Sequence, residues 1–257
     1  MRLLGLHLLQ SLPLIDSPRP SAVAEIDTSG RLSRLVFATS LVEVMGAIGP
    51  PPARVLVDAP LVVANQTGRR DVESVLAWCD VAAFPASRQR MAQVFGGVRG
   101  EELRARAPDG IEMAEALPDL ALRLMLWEEA TGGAAIDLAE YRARWLGMRA
   151  PVYRPKAAGR ARPTGLADAH TLLARHVDLG GWHPSGDPDD WAAIRDAAAL
   201  DAVACAYVAW REATMTGGVM TLGTPASGEL VLPVDANLRD RLELTLARLR
   251  TEGAIRI

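Results

Sequence analysis

Residues 196–210 read Asp-Ala-Ala-Ala-Leu-Asp-Ala-Val-Ala-Cys-Ala-Tyr-Val-Ala-Trp, and no other stretch restricts the fold as much. Ala and Leu lead the order of helix propensity, so the segment is predicted to be a helix. At about 100° per residue, Ala197, Ala198, Ala204, Cys205 and Val208 share a stripe with Asp201. Val203, Ala206 and Trp210 make the opposite face apolar as well, which predicts a buried helix. Side chains this small let its backbone approach a sheet closely. Asp201 is the only charge between Asp196 and Arg211. Burying a lone carboxylate costs several kcal/mol unless it is paired or bound to a metal. Asp201 therefore predicts either a partner arginine in the core or a cation.

The preceding chain supplies strands for such a helix to cover. Residues 3–8 form a short apolar run. Residues 21–27 and 31–38 alternate about the turn Thr28-Ser29-Gly30, the pattern of a hairpin. Thr39 or Ser40 caps a helix that runs to Ile48 and ends at Gly49 and three prolines. Residues 54–58, Arg-Val-Leu-Val-Asp, are a further strand. A hairpin implies antiparallel pairing, and a helix between strands implies a parallel crossover. The predicted fold is therefore α/β with a mixed sheet flanked by helices. Further helices are predicted over 71–81, 119–130, 138–146, 165–176 and 238–249, and strands over 111–117 and 229–234. Loops are predicted over 150–163, 180–190 and 217–228.

The chain has 257 residues, 49% hydrophobic and 23% charged, with a formal net charge of −3. These values describe a globular protein with a sizeable core. No apolar run approaches the ~18 residues of a membrane span. His7 interrupts the N-terminal apolar run and no clean cleavage site follows it, so a cytoplasmic protein is expected. Cys79 and Cys205 lie far apart in apolar helical stretches and predict neither a disulfide framework nor a zinc site. Lys156 is the single lysine, and aromatics make up 5% of the chain. The mild acidity argues against a basic coat for nucleic acid but leaves room for a local patch. Residues 141–162 are such a stretch, with Arg142, Arg144, Arg149, Arg154 and Lys156 among its bases and no acid. Arginine forks suit phosphate, and Trp145 and Tyr153 offer stacking surfaces; a solvated loop is the plainer reading.

Asp58 ends its strand, where open α/β sheets usually bind ligands, although an Asp there also serves to cap a turn. Asn65, Arg69 and Arg70 follow in a polar turn, where the arginines either pair with Asp58 or hold an anion beside it. Glu112 and Glu115 are spaced so that only one reaches the Asp58 site. The four histidines form no metal motif, and no GxGxxG, P-loop or GxSxG sequence occurs.

Val57-Asp58-Ala59-Pro60-Leu61 followed by Asn65-Gln66-Thr67-Gly68-Arg69-Arg70 resembles the DAPL…NxTGRR signature of the family catalogued as domain of unknown function 429. Glu115 to Pro118, Tyr153-Arg154-Pro155-Lys156, the Leu200-Asp201-Ala202 helix and Gly228 to Pro233 resemble its later elements in the same order. That family is described as predicted nucleases with an RNase H-like fold. The resemblance implies an RNase H-like domain over 1–235, with a helical and basic insertion at about 119–192. Residues 236–257 are then an added amphipathic helix and tail. It also implies a metal-dependent phosphodiester hydrolase acting on nucleic acid, with Mg²⁺ or Mn²⁺ as cofactor. Asp58, Asp201 and Glu115 are the implied catalytic acids, and Asn65, Arg69, Arg70, Tyr153 and Lys156 the implied contacts to phosphate or substrate. Where the family has Gly-x-Asp on its first strand, this chain has Gly5-Leu6-His7. His7 ligates Mn²⁺ more readily than Mg²⁺, because hard cations prefer oxygen. The alternative is a catalytically impaired protein on the same fold that still binds a nucleotide or nucleic acid. Leu238, Leu242, Leu246 and Leu249 form a stripe that either packs on its own domain or joins two copies in a homodimer.

Overall fold

A computed structural model describes residues 1–9, 19–134, 136–154, 165–185 and 190–257. Seven strands form one mixed sheet in the order β3-β2-β1-β4-β5-β7-β6. β1 (Arg2–His7), β2 (Ser21–Ile26) and β3 (Leu32–Ala38) make an antiparallel meander. The helix α1 (Leu41–Ile48) then crosses over to β4 (Ala53–Val57), which lies parallel to β1. β5 (Ile111–Glu115) and β7 (Gly228–Pro233) continue in parallel, and β6 (Val219–Thr224) closes the edge antiparallel to β7. The mixed α/β sheet expected from the pattern of runs is present, and its architecture is consistent with an RNase H-like fold.

Local chemistry explains the boundaries. The Ser40 side chain accepts from the Glu43 amide at the start of α1, and Gly49 ends that helix with a positive φ. α5 (Pro118–Thr131) opens on a proline, whose missing N–H costs nothing there. Two helices in the unassigned stretch between α2 (Asp71–Trp78) and β5 are short and carry few apolar residues. α3 (Arg88–Phe95) buries only Met91, and α4 (Arg99–Arg106) is built largely of Arg and Glu. β6 lies in the predicted 217–228 loop, because its Thr and Gly residues resemble turn chemistry.

The pleat of β1 sends alternate side chains to two cores. Leu4 and Leu6 pack with Val44, Ile48 and Leu103 from α1 and α4. Leu3 faces the other way, toward α8 (Asp190–Thr214), α5 and α7 (Leu166–His176). α8 begins six residues earlier than the predicted 196–210 segment and packs on β1, β2 and β4. The approach is close at Gly5, where an added Cβ would lie 2.0 Å from the Ala202 carbonyl oxygen and 2.1 Å from the Ala206 nitrogen. Only glycine on β1 and alanines on α8 permit that contact.

The C-terminal helix α9 (Ala236–Thr251) packs against α2. Its stripe of Leu238, Leu242, Leu246 and Leu249 is buried with Val75, Leu76, Trp127 and Leu232. The leucine stripe therefore packs on its own domain, the first of its two expected roles. Among the described residues, no helix is long and apolar enough to cross a membrane.

Gly5→Ala is expected to destabilise the fold by about 3 kcal/mol or more, the upper range for an overpacked core. Chemical denaturation measures this, and a loss under about 1 kcal/mol would show that α8 can retreat from the sheet at low cost.

A candidate metal centre at the ends of the central strands

His7 is the last residue of β1, and Asp58 directly follows β4. The two strands are parallel neighbours, so both side chains emerge at the same carboxyl-terminal edge. Asp58 remains in the ladder, its amide donating to the Leu6 carbonyl at 2.8 Å. Asp201 reaches the same point from α8, roughly one turn beyond the Gly5 side of the contact. His7 Nδ1 lies 3.2 Å from Asp58 Oδ2 and 3.2 Å from Asp201 Oδ2. One ligand atom from each of the three residues lies within 4.8 Å of the others, and together they could hold a metal ion. Asp201 is 1% exposed, whereas Asp58 and His7 are about a quarter exposed.

The partner arginine expected from a buried Asp201 is also present. Arg154 donates through Nε and Nη2 to the two Asp201 oxygens at 2.8 and 2.6 Å. Its Nη1 donates to Asp119 at 2.7 Å, and Nη2 is 3.9 Å from Asp58. The Tyr153 hydroxyl, buried in the core, donates to Asp201 Oδ1 at 2.5 Å. Tyr153 is thus a support for Asp201 rather than a residue open to substrate.

These contacts set the protonation states. Burial alone would lower the His7 imidazole, but hydrogen bonds to Asp201 and Asp58 outweigh it and raise the pKa to about 9. Burial pushes the Asp58 carboxyl up, reinforced by the Asp201 charge and opposed by the His7 hydrogen bond. Burial also pushes Asp201 up, but the Arg154 charge and His7 prevail and hold it well below the usual range. Without a cation, then, an imidazolium and a guanidinium balance two carboxylates. Cys205, one turn beyond Asp201, is buried, and its thiol is held well above the usual range by burial and the nearby acids.

Glu115 belongs to a different assembly. On β5 it lies beside Val57 of β4, so pleat parity sends it to the face opposite Asp58. Both its oxygens accept from Arg70, each at 2.7 Å, and Oε1 also accepts from the Leu61 amide at 2.9 Å. Arg70 is buried, donates to Glu73 at 2.7 Å and to the Val62 carbonyl at 2.9 Å, and so braces the loop after Asp58. The implied roles of Glu115 as a third metal acid and Arg70 as a phosphate contact are therefore corrected to those of a buried ion pair. Asn65 stabilises its own turn, its amide donating to the Thr67 carbonyl at 3.0 Å. Arg69 is exposed in that turn, and Glu112 lies at the opposite end of β5. Lys156 lies outside the described residues.

The cluster opens onto a cleft of about 410 Å³. His7, Asp58 and Arg154 line its polar end, and Ala83, Phe84, Met91 and Leu117 are among the residues of its apolar wall. The signal for Arg154 was present in the sequence only as one base among many. Nothing in its spacing distinguishes it from Arg149 or Arg160.

Comparison with protein-family models, with curated proteins and with solved structures finds no match to this chain.

Two outcomes follow from the charges. A group whose pKa is raised on folding stabilises the fold below its unfolded value, and that stabilisation disappears as the pH passes its folded value. For His7 the window runs from about 6.5 to about 9. With chelator present, the melting temperature is expected to fall across that window, and His7→Gln is expected to flatten the decline; parallel curves would refute the assignment. Glu115→Gln leaves Arg70 paired with Glu73 alone and is expected to cost about 1–3 kcal/mol of stability in denaturant melts. The same variant should keep any divalent-cation stabilisation, which a ligand substitution would remove.

Proposed function

We propose that the chain is a metal-dependent phosphodiester hydrolase acting on nucleic acid, using one cation rather than two. The observation that carries this reading is the gathering of His7, Asp58 and Asp201 at the carboxyl ends of parallel strands, beside a cleft. The resemblance of the Asp58 to Arg70 segment to a predicted nuclease family supports it. The donor set fits a single ion, because the other acids lining the cleft, Glu73, Glu115 and Asp119, each accept from an arginine. One imidazole nitrogen with two carboxylates favours Mn²⁺ over Mg²⁺, which prefers all-oxygen surroundings.

A cation bound there supplies Lewis-acid polarisation of a phosphoryl oxygen and a more acidic water. The protein's own groups do the rest. Asp58, whose carboxyl is raised and which lines the cleft, is placed to take a proton from the attacking water. Arg154 fixes the orientation of Asp201 through its fork and brings positive charge to the same end of the cleft as the reacting phosphate. Tyr153 locks the buried side of Asp201.

One observation favours a second reading. Arg154 and the His7 imidazolium already neutralise the two acids, which suits a binding protein that has lost chemistry. Cation affinity and cleavage separate the two. Mn²⁺ should raise the melting temperature more than Mg²⁺, by the equivalent of about 2.7 kcal/mol at a hundred times its Kd. Asp201→Asn should remove that rise. Cleavage of single- and double-stranded DNA and RNA should fall more than about 100-fold in Asp58→Ala, beyond the usual cost of losing an outer-sphere partner. Mn²⁺ binding without cleavage selects the second reading, and equal cleavage by wild type and Asp58→Ala refutes the first.

A further inference from the structure

A smaller pocket of about 130 Å³ adjoins the cleft and shares Ala82 and Asp119 with it. Its other walls include Val81, Leu120 and Met148, together with two arginines, Arg123 from α5 and Arg149 from the segment after α6 (Leu138–Gly147). Arg123 is held rigidly. Its guanidinium stacks 4.0 Å above the Trp145 ring, Nη1 donates to the Asp80 carbonyl at 2.9 Å, and Nη2 donates to the Trp145 carbonyl. Its buried Nε–H has no acceptor among the described residues. Arg149 is exposed and forms no ion pair with a described residue. Among the described residues, the only acid lining the pocket is Asp119, which accepts from Arg154 at 2.7 Å. The nearby Asp80 carboxylate is engaged by Arg241 and Arg142.

Two cations thus flank one small space without an anion of their own. Burial and the neighbouring Arg149 charge both work against the charged form of Arg123, opposed by Tyr141 and Asp80. An oxyanion between the two guanidinium groups would relieve the repulsion.

We propose that Arg123 and Arg149 form an anion subsite of the cleft that takes a phosphate of the bound ligand, one step removed from the phosphate at His7, Asp58 and Arg154. Its place in a ligand's path rests on the phosphodiester reading, whereas its affinity for an oxyanion does not. The subsite accepts phosphate as a forked, charge-assisted acceptor, with Arg123 as the fixed element and Arg149 as the adjustable one.

The test uses the full chain with chelator present, so that cation chemistry plays no part. The Arg123 Nε–Hε resonance, identified by its loss in Arg123→Lys, is followed by ¹⁵N NMR during titration with inorganic phosphate. A saturable shift is expected. Arg149→Ala should weaken half-saturation about tenfold, and Arg149→Lys should recover most of it. A thymidine dinucleotide with a 5′-phosphate should then bind about tenfold tighter than the same dinucleotide without it, and Arg149→Ala should abolish the difference. A resonance that does not move, or equal phosphate affinity in wild type and Arg149→Ala, overturns the subsite. Equal binding of the two dinucleotides also overturns it, by assigning the pocket to free phosphate alone. An inactive protein that passes these tests would sink the hydrolase reading and leave the subsite standing.

Discussion

The contact between α8 and β1 at Gly5 governs the rest of the structure. With no Cβ on the strand and alanines on the helix, the two backbones approach to a distance that ordinary side chains would prevent. That approach brings a helical carboxylate to the tips of two strands. Asp201 can then meet His7 and Asp58 without a long side chain, and at 1% exposure it is removed from water as it does so. The hydrophobic effect that seats an alanine-rich helix on the sheet thereby bears the cost of burying a charge.

That cost is offset locally by a fork. Arg154 covers both Asp201 oxygens, Tyr153 adds a neutral donor, and His7 gains a proton that free histidine would largely have lost at neutral pH. Around the same strand ends a second ion pair, Arg70 with Glu115, lines another part of the same cleft and holds the loop after Asp58. Two clusters of similar composition therefore do different work. Both line the cleft, but in the second the carboxylate oxygens are taken up by an arginine and a backbone amide.

Much of this was legible in the residues. The alternating runs, the turn at Gly30 and the Ser40 cap define the meander and crossover, because period and capping are local properties. The isolation of Asp201 in an apolar helix points to a partner, and Arg154 is the arginine it meets, within a group that could hold a metal ion. What escaped depends on register and distance. The face that Glu115 occupies follows from its pairing with Val57, which no local pattern encodes. His7 enters as a candidate ligand only through the family resemblance; its local pattern reads as an interruption of an apolar run, and the strand order places it between two acids. α3 and α4 escaped because each is only eight residues long and mostly polar, too short a stretch for a pattern to stand out.

Tyr153 and Arg154 sit on a loop, not on the sheet or on α8, yet they hold the most deeply buried charge in the cluster. Anchorage of that loop and occupancy of Asp201 are consequently drawn from one free energy. By thermodynamic reciprocity, whatever competes with the guanidinium for Asp201 loosens the loop by as much as the loop resists it. A segment tethered in this way reports on the centre it covers.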